Sequence, residues 1–208
     1  MKLYFATQNP HKVGEMQKIL PNIELMIPPD FTCVEDGTDF MQNSVKKARS
    51  LFQVVNSPVI ADDSGLCIDC LGGNPGIFSS RYGSDLRYGK FLCSNQAEKN
   101  LSIIKEVNEA LSEKSMDATL WENRKCRFIC ALTFMTGENR FICFQETLEG
   151  CIAHAPAEDA KGGFGYDPIV FLPEYGKTVA ELSEDEKNRI SHRGKAAAHL
   201  IKYLSALN

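Results

Sequence analysis

Positive charge is in short supply: 23 Lys and Arg stand against 27 Asp and Glu, leaving a formal net charge of -4. With a pI near 5.6, bulk attraction to duplex DNA is excluded, so no nucleic-acid partner is expected and any phosphate contact must be local. Long apolar runs are missing too. The one at Met1 to Ala6 is too short for a signal peptide or a membrane span, so no membrane partner is expected and the expected location is cytoplasmic. No G-x-x-x-x-G-K-[ST] phosphate loop occurs. With four histidines and no Ser or Cys in a nucleophile-elbow context, Ser-His-Asp and Cys-His catalysis have little support. Neither an internal repeat, a low-complexity tract nor a clear linker interrupts the chain. Its 208 residues are read as one domain, 1–208, with length enough for a proper core.

Cysteine, by contrast, is plentiful at eight residues. Cys126, Cys130, Cys143 and Cys151 are scattered through strand-like segments of a chain too large to need staples, so reduced, buried thiols are expected. Cys67 and Cys70 match C-x-x-C, but no second pair has zinc spacing, and in a strand the two side chains point to opposite faces.

Strand and helix signals alternate through the first half. Leu3 to Ala6 reads as a strand, and Thr7-Gln8-Asn9-Pro10-His11-Lys12 as the loop feeding a helix from about Val13 to Leu20. Ile23 to Ile27 reads as a second strand. A long helix from about Thr38 carries Met41, Val45, Ala48, Phe52 and Val55 as its core stripe, with Asn43, Lys46 and Lys47 on a solvated face. A third strand starts at Val59, and Leu101, Ile104 and Leu111 mark a helix entered near Ser94 or Asn95. Ser112 to Arg124 is polar and reads as an exposed loop holding Trp121, the one tryptophan. Cys126 to Phe134 and Arg140 to Phe144 flank a short Gly-containing turn and read as a hairpin, extended by a further strand near Thr147 to Ala153. Ser183 to Glu186 has capping-box spacing, and Ala197, Leu200, Leu204 and Leu207 form the stripe of a terminal helix. Strand-helix alternation followed by a hairpin predicts an α/β fold with a mixed sheet.

Five places carry chemistry-bearing residues. An apolar run, Val59-Ile60-Ala61, ends in Asp62-Asp63-Ser64-Gly65; adjacent carboxylates suit a divalent cation such as magnesium, or else a capped turn at a strand end. The Thr7 to Lys12 loop at a helix N-terminus suits an anion, or is an ordinary connection with a solvated lysine. Glu35-Asp36 precedes the long helix, where capping and metal binding both fit. In Lys161-Gly162-Gly163-Phe164-Gly165-Tyr166-Asp167-Pro168, glycines permit close backbone approach and aromatic rings give a flat base a surface to stack on. Lys187, His192, Arg193 and Lys195 gather cationic groups near a helix junction, and His192 is taken as a binding group rather than a base.

Six motifs in register resemble the inosine triphosphate pyrophosphatase family of non-canonical purine nucleotide hydrolases: Thr7-x-Asn9-x-x-Lys12, Glu35-Asp36-Gly37 followed by Asn43, Ala61-Asp62-Asp63-Ser64-Gly65, Leu71-Gly72-Gly73-x-Pro75-Gly76, Gly162 to Pro168, and Ser191-His192-Arg193. The resemblance spans nearly the whole chain. It implies an elongated central mixed β-sheet flanked by helices, two lobes around a nucleotide-binding cleft, and a homodimer. It also implies Mg2+-dependent hydrolysis of ITP, dITP or XTP to the monophosphate and pyrophosphate. Carried over by position, Thr7, Gln8, Asn9, Pro10, His11 and Lys12 hold the triphosphate. Glu35 and Asp63 bind the metal, Asp63 accepts the proton of the water, and Ser64 contacts substrate. Phe164, Gly165, Tyr166 and Asp167 hold the base and sugar region, and Lys187, His192 and Arg193 complete the pocket. Gln8 stands where this family usually has Gly, and Glu158-Asp159-Ala160-Lys161 is more charged than the family's usual turn. A haloacid-dehalogenase phosphatase fits less well, because its acids are spaced D-x-D.

Overall fold

The computed structural model describes residues 1–28, 30–158 and 163–206. Lys161 and Gly162 of the glycine-rich motif, Asp159 and Ala160 of the charged stretch before it, and Leu207 of the terminal stripe lie outside the described residues. In chain order the elements are β1 (Lys2–Phe5), α1 (Pro10–Ile19), β2 (Glu24–Met26), α2 (Phe40–Val55), β3 (Val59–Ile68), α3 (Gln96–Glu113), β4 (Lys125–Gly137), β5 (Arg140–Ile152), β6 (Val170–Leu172), β7 (Lys177–Thr178), α4 (Glu184–Ile190) and α5 (His192–Ser205), with short 3-10 turns between several of them. The strands form a seven-stranded sheet in the order β2-β1-β3-β4-β5-β6-β7. It is mixed, as expected: β1 runs parallel to β2 and β3, and β6 pairs antiparallel with both β5 and β7. The strand expected near Thr147 to Ala153 is the second half of β5, since the hairpin arms run on to 13 residues each.

Two compact units divide the chain. One comprises Met1–Ser64, Ile129–Thr147 and Asn188–Asn208; the other comprises Gly65–Phe128 and Leu148–Lys187. In the first unit, β3 is covered on both faces. Ile60 packs with Leu3 and Phe5 of β1, Met16 of α1 and Ala196, Ala197 and Leu200 of α5. Val59 and Ala61 pack instead with Ala48 and Leu51 of α2. That division follows from the period of two along a strand, which sends successive side chains to opposite faces.

The α2 stripe differs from the expected one. Met41 is 43% exposed, and the buried face is Phe40, Asn43, Ser44, Lys47, Ala48 and Leu51, so Asn43 and Lys47 are interior residues rather than solvated ones. Helix α1 also starts earlier than expected, with Pro10 in its first turn and Asn9 as its cap. Pro is favourable there because the first helical N–H needs no partner within the helix. In the second unit Asn95 caps α3 through the Glu98 N–H at 2.9 Å, as expected. Leu101, however, is 56% exposed, and Ile103, Ile104, Val107 and Leu111 do the burying. Ser112 to Arg124 is not wholly exposed either. Arg124 is fully buried, donating to the Ile152 and Ala153 carbonyls, while Trp121 stacks on Phe171 with ring centroids 4.5 Å apart.

The α4–α5 junction is tight. Ser191 caps α5 by accepting the Gly194 N–H at 3.0 Å, and a Cβ on Gly194 would stand 1.8 Å from the Asn188 carbonyl oxygen. Backbone cannot yield as a flexible side chain can. Gly194→Ala is therefore expected to lower stability by about 3 kcal/mol. Gly14→Ala, on an exposed part of α1 with nothing within 4 Å of the added carbon, is expected to raise it by about 1 kcal/mol. Urea unfolding of the two variants beside wild type checks both signs.

Candidate active site

The alternation of β3 continues past its apolar residues into Asp62 and Asp63. Asp62 follows Ile60 onto the α1/α5 side, with Ser64 next on the same face, and Asp63 follows Ala61 onto the α2 side. Each acid meets a different set of partners.

Asp62 is fully buried and surrounded by cations. Lys12 Nζ of α1 lies 3.2 Å from Oδ1 and 3.1 Å from Oδ2. Arg193 of α5 donates to Oδ2 from Nε at 3.3 Å and Nη2 at 3.1 Å, and Ser64 Oγ donates to the same oxygen at 3.2 Å. Arg193 also reaches Ser64 Oγ at 3.0 Å and pairs with Glu15 of α1. Burial by itself raises the Asp62 carboxyl, but Lys12, Arg193 and Lys47 outweigh it and hold the group well below the usual carboxylate range.

Asp63, 6% exposed, has no such company. Its Oδ2 accepts one hydrogen bond from Asn43 Nδ2 at 3.0 Å, and its Oδ1 accepts the Ser64 N–H at 3.1 Å. Burial, assisted by the nearby Glu35 carboxylate and opposed by Lys47, pushes it up to about 6. Adjacent acids whose environments drive them apart in this way have different chemical roles open to them. One is a fixed anion; the other can take a proton near neutral pH.

Three residues of α2 hold the strand end from the Asp63 side. Asn43 bonds the Asp63 side chain, Ser44 Oγ donates to the Ala61 carbonyl at 2.9 Å, and Lys47 Nζ donates to the Asp62 carbonyl at 2.7 Å. Lys47 also pairs with Glu35 at 2.9 Å. Asp36, beside Glu35, turns outward and pairs with Lys46. The Glu35 carboxylate is near enough to Asp63 for its charge to act on it. Such a pair fits magnesium, which takes one or two carboxylates and fills its remaining positions with water and phosphate oxygens. Among the described residues no group of three or more His, Cys, Asp or Glu is arranged to hold a metal.

The Thr7 to Lys12 loop is braced from within. Thr7 Oγ1 accepts the Asn9 N–H at 3.1 Å, Asn9 Oδ1 accepts the His11 and Lys12 N–H groups at 3.0 and 3.4 Å, and Gln8 Nε2 donates to the Pro28 carbonyl at 2.5 Å. The Asn9 cap uses the amide donors at the start of α1. Pro10 has no N–H, and the next two donors are taken by the Asn9 cap. The loop's mobile cation, Lys12, lies against Asp62. His11 is exposed and His192 is buried.

The other expected residues form a separate cluster in the second unit. Asp167 Oδ2 accepts the Phe164 N–H at 2.7 Å and Lys187 Nζ at 2.8 Å, and Lys187 Nζ lies 4.7 Å from the centre of the Phe164 ring. Asn100 Nδ2 of α3 donates to the Gly165 carbonyl at 3.1 Å, and Tyr166 Oη donates to the Ser79 carbonyl at 2.8 Å. Asp167 and Tyr166 are buried and engaged with the chain's own groups, which shape the loop, while the Phe164 ring is half-buried. Lys187 and Arg193, six residues apart, belong to different units.

Comparison with known proteins supplies the family. The sequence model described as the Ham1 family matches residues 3–203. This chain belongs to the Ham1 family. Among curated proteins of that kind, the dITP/XTP pyrophosphatase of Treponema denticola is 41% identical over 209 residues, covering 98% of each chain. The dITP/XTP pyrophosphatase of Borrelia duttonii is 41% identical over 206 residues, covering 97% of this chain and 96% of that one. Among solved structures, a Ham1 protein from Coxiella burnetii superposes with a TM-score of 0.80 at 34% identity over 99% of each chain. The Ham1 protein of Staphylococcus aureus gives 0.78 at 29% identity over the whole of both.

The opposed environments of the two acids set opposite signs for their removal. Asp62→Asn takes away the charge that offsets Lys12 and Arg193 and is expected to cost about 3 kcal/mol. Asp63→Asn relieves a disfavoured buried charge and is expected to add on the order of 2 kcal/mol at about pH 7.5 in the presence of a chelator. Because Asp63 sits at about 6 in the fold against an ordinary 3.8, its penalty is absent below that ordinary value. It grows as pH rises through about 6 and is constant above, so the gain from Asp63→Asn vanishes at about pH 3.5. Denaturant melts at both pH values measure it.

Proposed function

We propose that this chain is a magnesium-dependent pyrophosphatase that hydrolyses ITP, dITP or XTP to the nucleoside monophosphate and pyrophosphate. The observation that carries this reading is the division of Asp62 from Asp63 by β3, which sets a cation-bound anion beside a proton-accepting one. Membership in a family whose relatives are named dITP/XTP pyrophosphatase supports the reaction class. The resemblance extends the proposal to a homodimer acting on the cytoplasmic nucleotide pool.

In this proposal Asp63 takes a proton from the attacking water as the new oxygen–phosphorus bond forms at the α-phosphorus. The bond from that phosphorus to the bridging oxygen breaks, and pyrophosphate leaves with the bonding electron pair. Lys12 and Arg193, prepositioned by Asp62, supply positive charge where the phosphate oxygens gain negative charge, and Ser64 adds a hydroxyl on the same face. Thr7, Gln8, Asn9, Pro10 and His11 form the braced loop that presents Lys12. Glu35 and Asp63 are the residues that hold Mg2+, which when bound neutralises charge on the triphosphate. Phe164, with Lys187 over its ring and Gly165, Tyr166 and Asp167 shaping the loop, offers a flat surface for a purine base. His192 contributes a binding group at the start of α5.

The test is product release from a substrate panel of ITP, dITP, XTP, GTP, dTTP and UTP, with and without magnesium. Pyrophosphate from the first three, only with magnesium, is expected. Orthophosphate as the product, or dTTP and UTP turned over far faster than ITP, overturns the reading. Asp63→Asn, folded, is expected to lose about two to four decades in kcat.

A further inference from the structure

Asn43, which closes the Glu35-Asp36-Gly37 motif, has no part in the proposed chemistry. It is fully buried in the second turn of α2, whose cap, Asp39, accepts the Gln42 N–H at 2.8 Å and so fixes the helix start. Its carboxamide faces two elements at once. Oδ1 accepts the Gly37 N–H at 2.8 Å, and Nδ2 donates to Asp63 Oδ2 at 3.0 Å. Only this orientation of the amide works, since turning it over sets an NH2 group against an N–H and an oxygen against a carboxylate.

The fit around Gly37 is close. A Cβ there would lie 2.6 Å from Asn43 Oδ1, 3.0 Å from Gln42 Cβ and 3.1 Å from the Asn43 nitrogen. The acid-bearing loop therefore rests directly on the amide, with Glu35 two residues upstream of the contact. Lys47, one helical turn beyond Asn43, meets Glu35 from the same face of α2. A small rigid bridge thus joins the segment carrying one carboxylate to the strand end carrying the other.

We infer that Asn43 is a positioning residue that sets the separation and orientation of the Glu35 and Asp63 carboxylates by clamping Gly37 to Asp63. This rests on the reading that those two acids bind the metal and that Asp63 activates the water. Aspartate cannot replace it, because a second carboxylate repels Asp63. An apolar residue leaves both the Gly37 N–H and the Asp63 oxygen without this partner. Hydrogen-bond partners behind a metal ligand typically govern 10–100-fold in affinity or rate, the scale expected here.

Two variants reach the bridge from opposite ends. Asn43→Ala removes the amide, and Gly37→Ala keeps it but drives a methyl group into its oxygen. Each is compared with wild type by thermal melting, by Mn2+ binding to the nucleotide-free protein in electron paramagnetic resonance, and by kcat and KM for dITP. The expected result for both folded variants is Mn2+ binding weakened by about tenfold and kcat lowered by about 10–100-fold, with KM for dITP changed less than about threefold. If Asn43→Ala does not fold, Gly37→Ala decides the matter alone. Folded variants that melt earlier yet keep wild-type Mn2+ affinity and kcat make Asn43 an ordinary structural residue and overturn the clamp. A wild-type protein that neither binds Mn2+ nor releases pyrophosphate overturns the proposed function, and the clamp with it.

Discussion

Everything at the candidate site depends on one geometric constraint, the two-residue period of β3. Two aspartates in succession on a strand must face opposite ways. In this chain the two directions differ, because α1 and α5 cover one face and α2 the other. Asp62 is delivered to Lys12 and Arg193, and Asp63 to the single amide of Asn43. Identical side chains acquire opposite electrostatic character from neighbours that the sheet sorts for them. A D-x-D spacing on the same strand would put both acids on one face and lose the distinction.

The neighbours are themselves costly to bury, and the packing offsets that cost by pairing. Arg193 and Asp62 are both almost without exposure, and neither would be tolerated alone. Glu15 and Ser64 complete the set on the α1/α5 side, and the Asn43, Ser44 and Lys47 face completes it on the α2 side. In the second unit the same economy holds. Asp167, Lys187 and the Phe164 N–H satisfy one another, and Tyr82 Oη gives the buried Glu106 a donor at 2.6 Å. Polar groups in both units act mainly on other parts of the chain, so the exposed chemistry rests on a buried frame of hydrogen bonds.

Much of this was legible in the residues. The mixed sheet followed from strand-helix alternation and the hairpin, and the Ser183 capping box is present, with the Ser183 N–H 2.9 Å from Glu186 Oε2. Asp62, Lys12 and Arg193 were each singled out from different segments, and the fold brings them together. A stripe begun at Met41 leaves Asn43 and Lys47 on the solvated side. Begun at Phe40, the spacing i, i+3, i+4, i+7, i+8, i+11 runs through Phe40, Asn43, Ser44, Lys47, Ala48 and Leu51, so the polar residues fall on the buried face. Periodicity scored on apolar residues alone cannot find a buried helix face that is half polar. Glu15 carried no signal of its own, since its role exists only once α1 lies against α5.

The alternation of β3 also bears on how such a chain can vary over generations. Loss of a single codon between those for Val59 and Asp62 would leave the dipeptide intact in the gene while advancing it by one pleat. Asp63 would then fall among the cations, and Ser64 would replace it opposite Asn43. The fold thus tolerates exchange of the apolar residues of this strand for others of similar bulk better than a change in their number. For the site, the count of residues before the acids matters as much as the acids themselves.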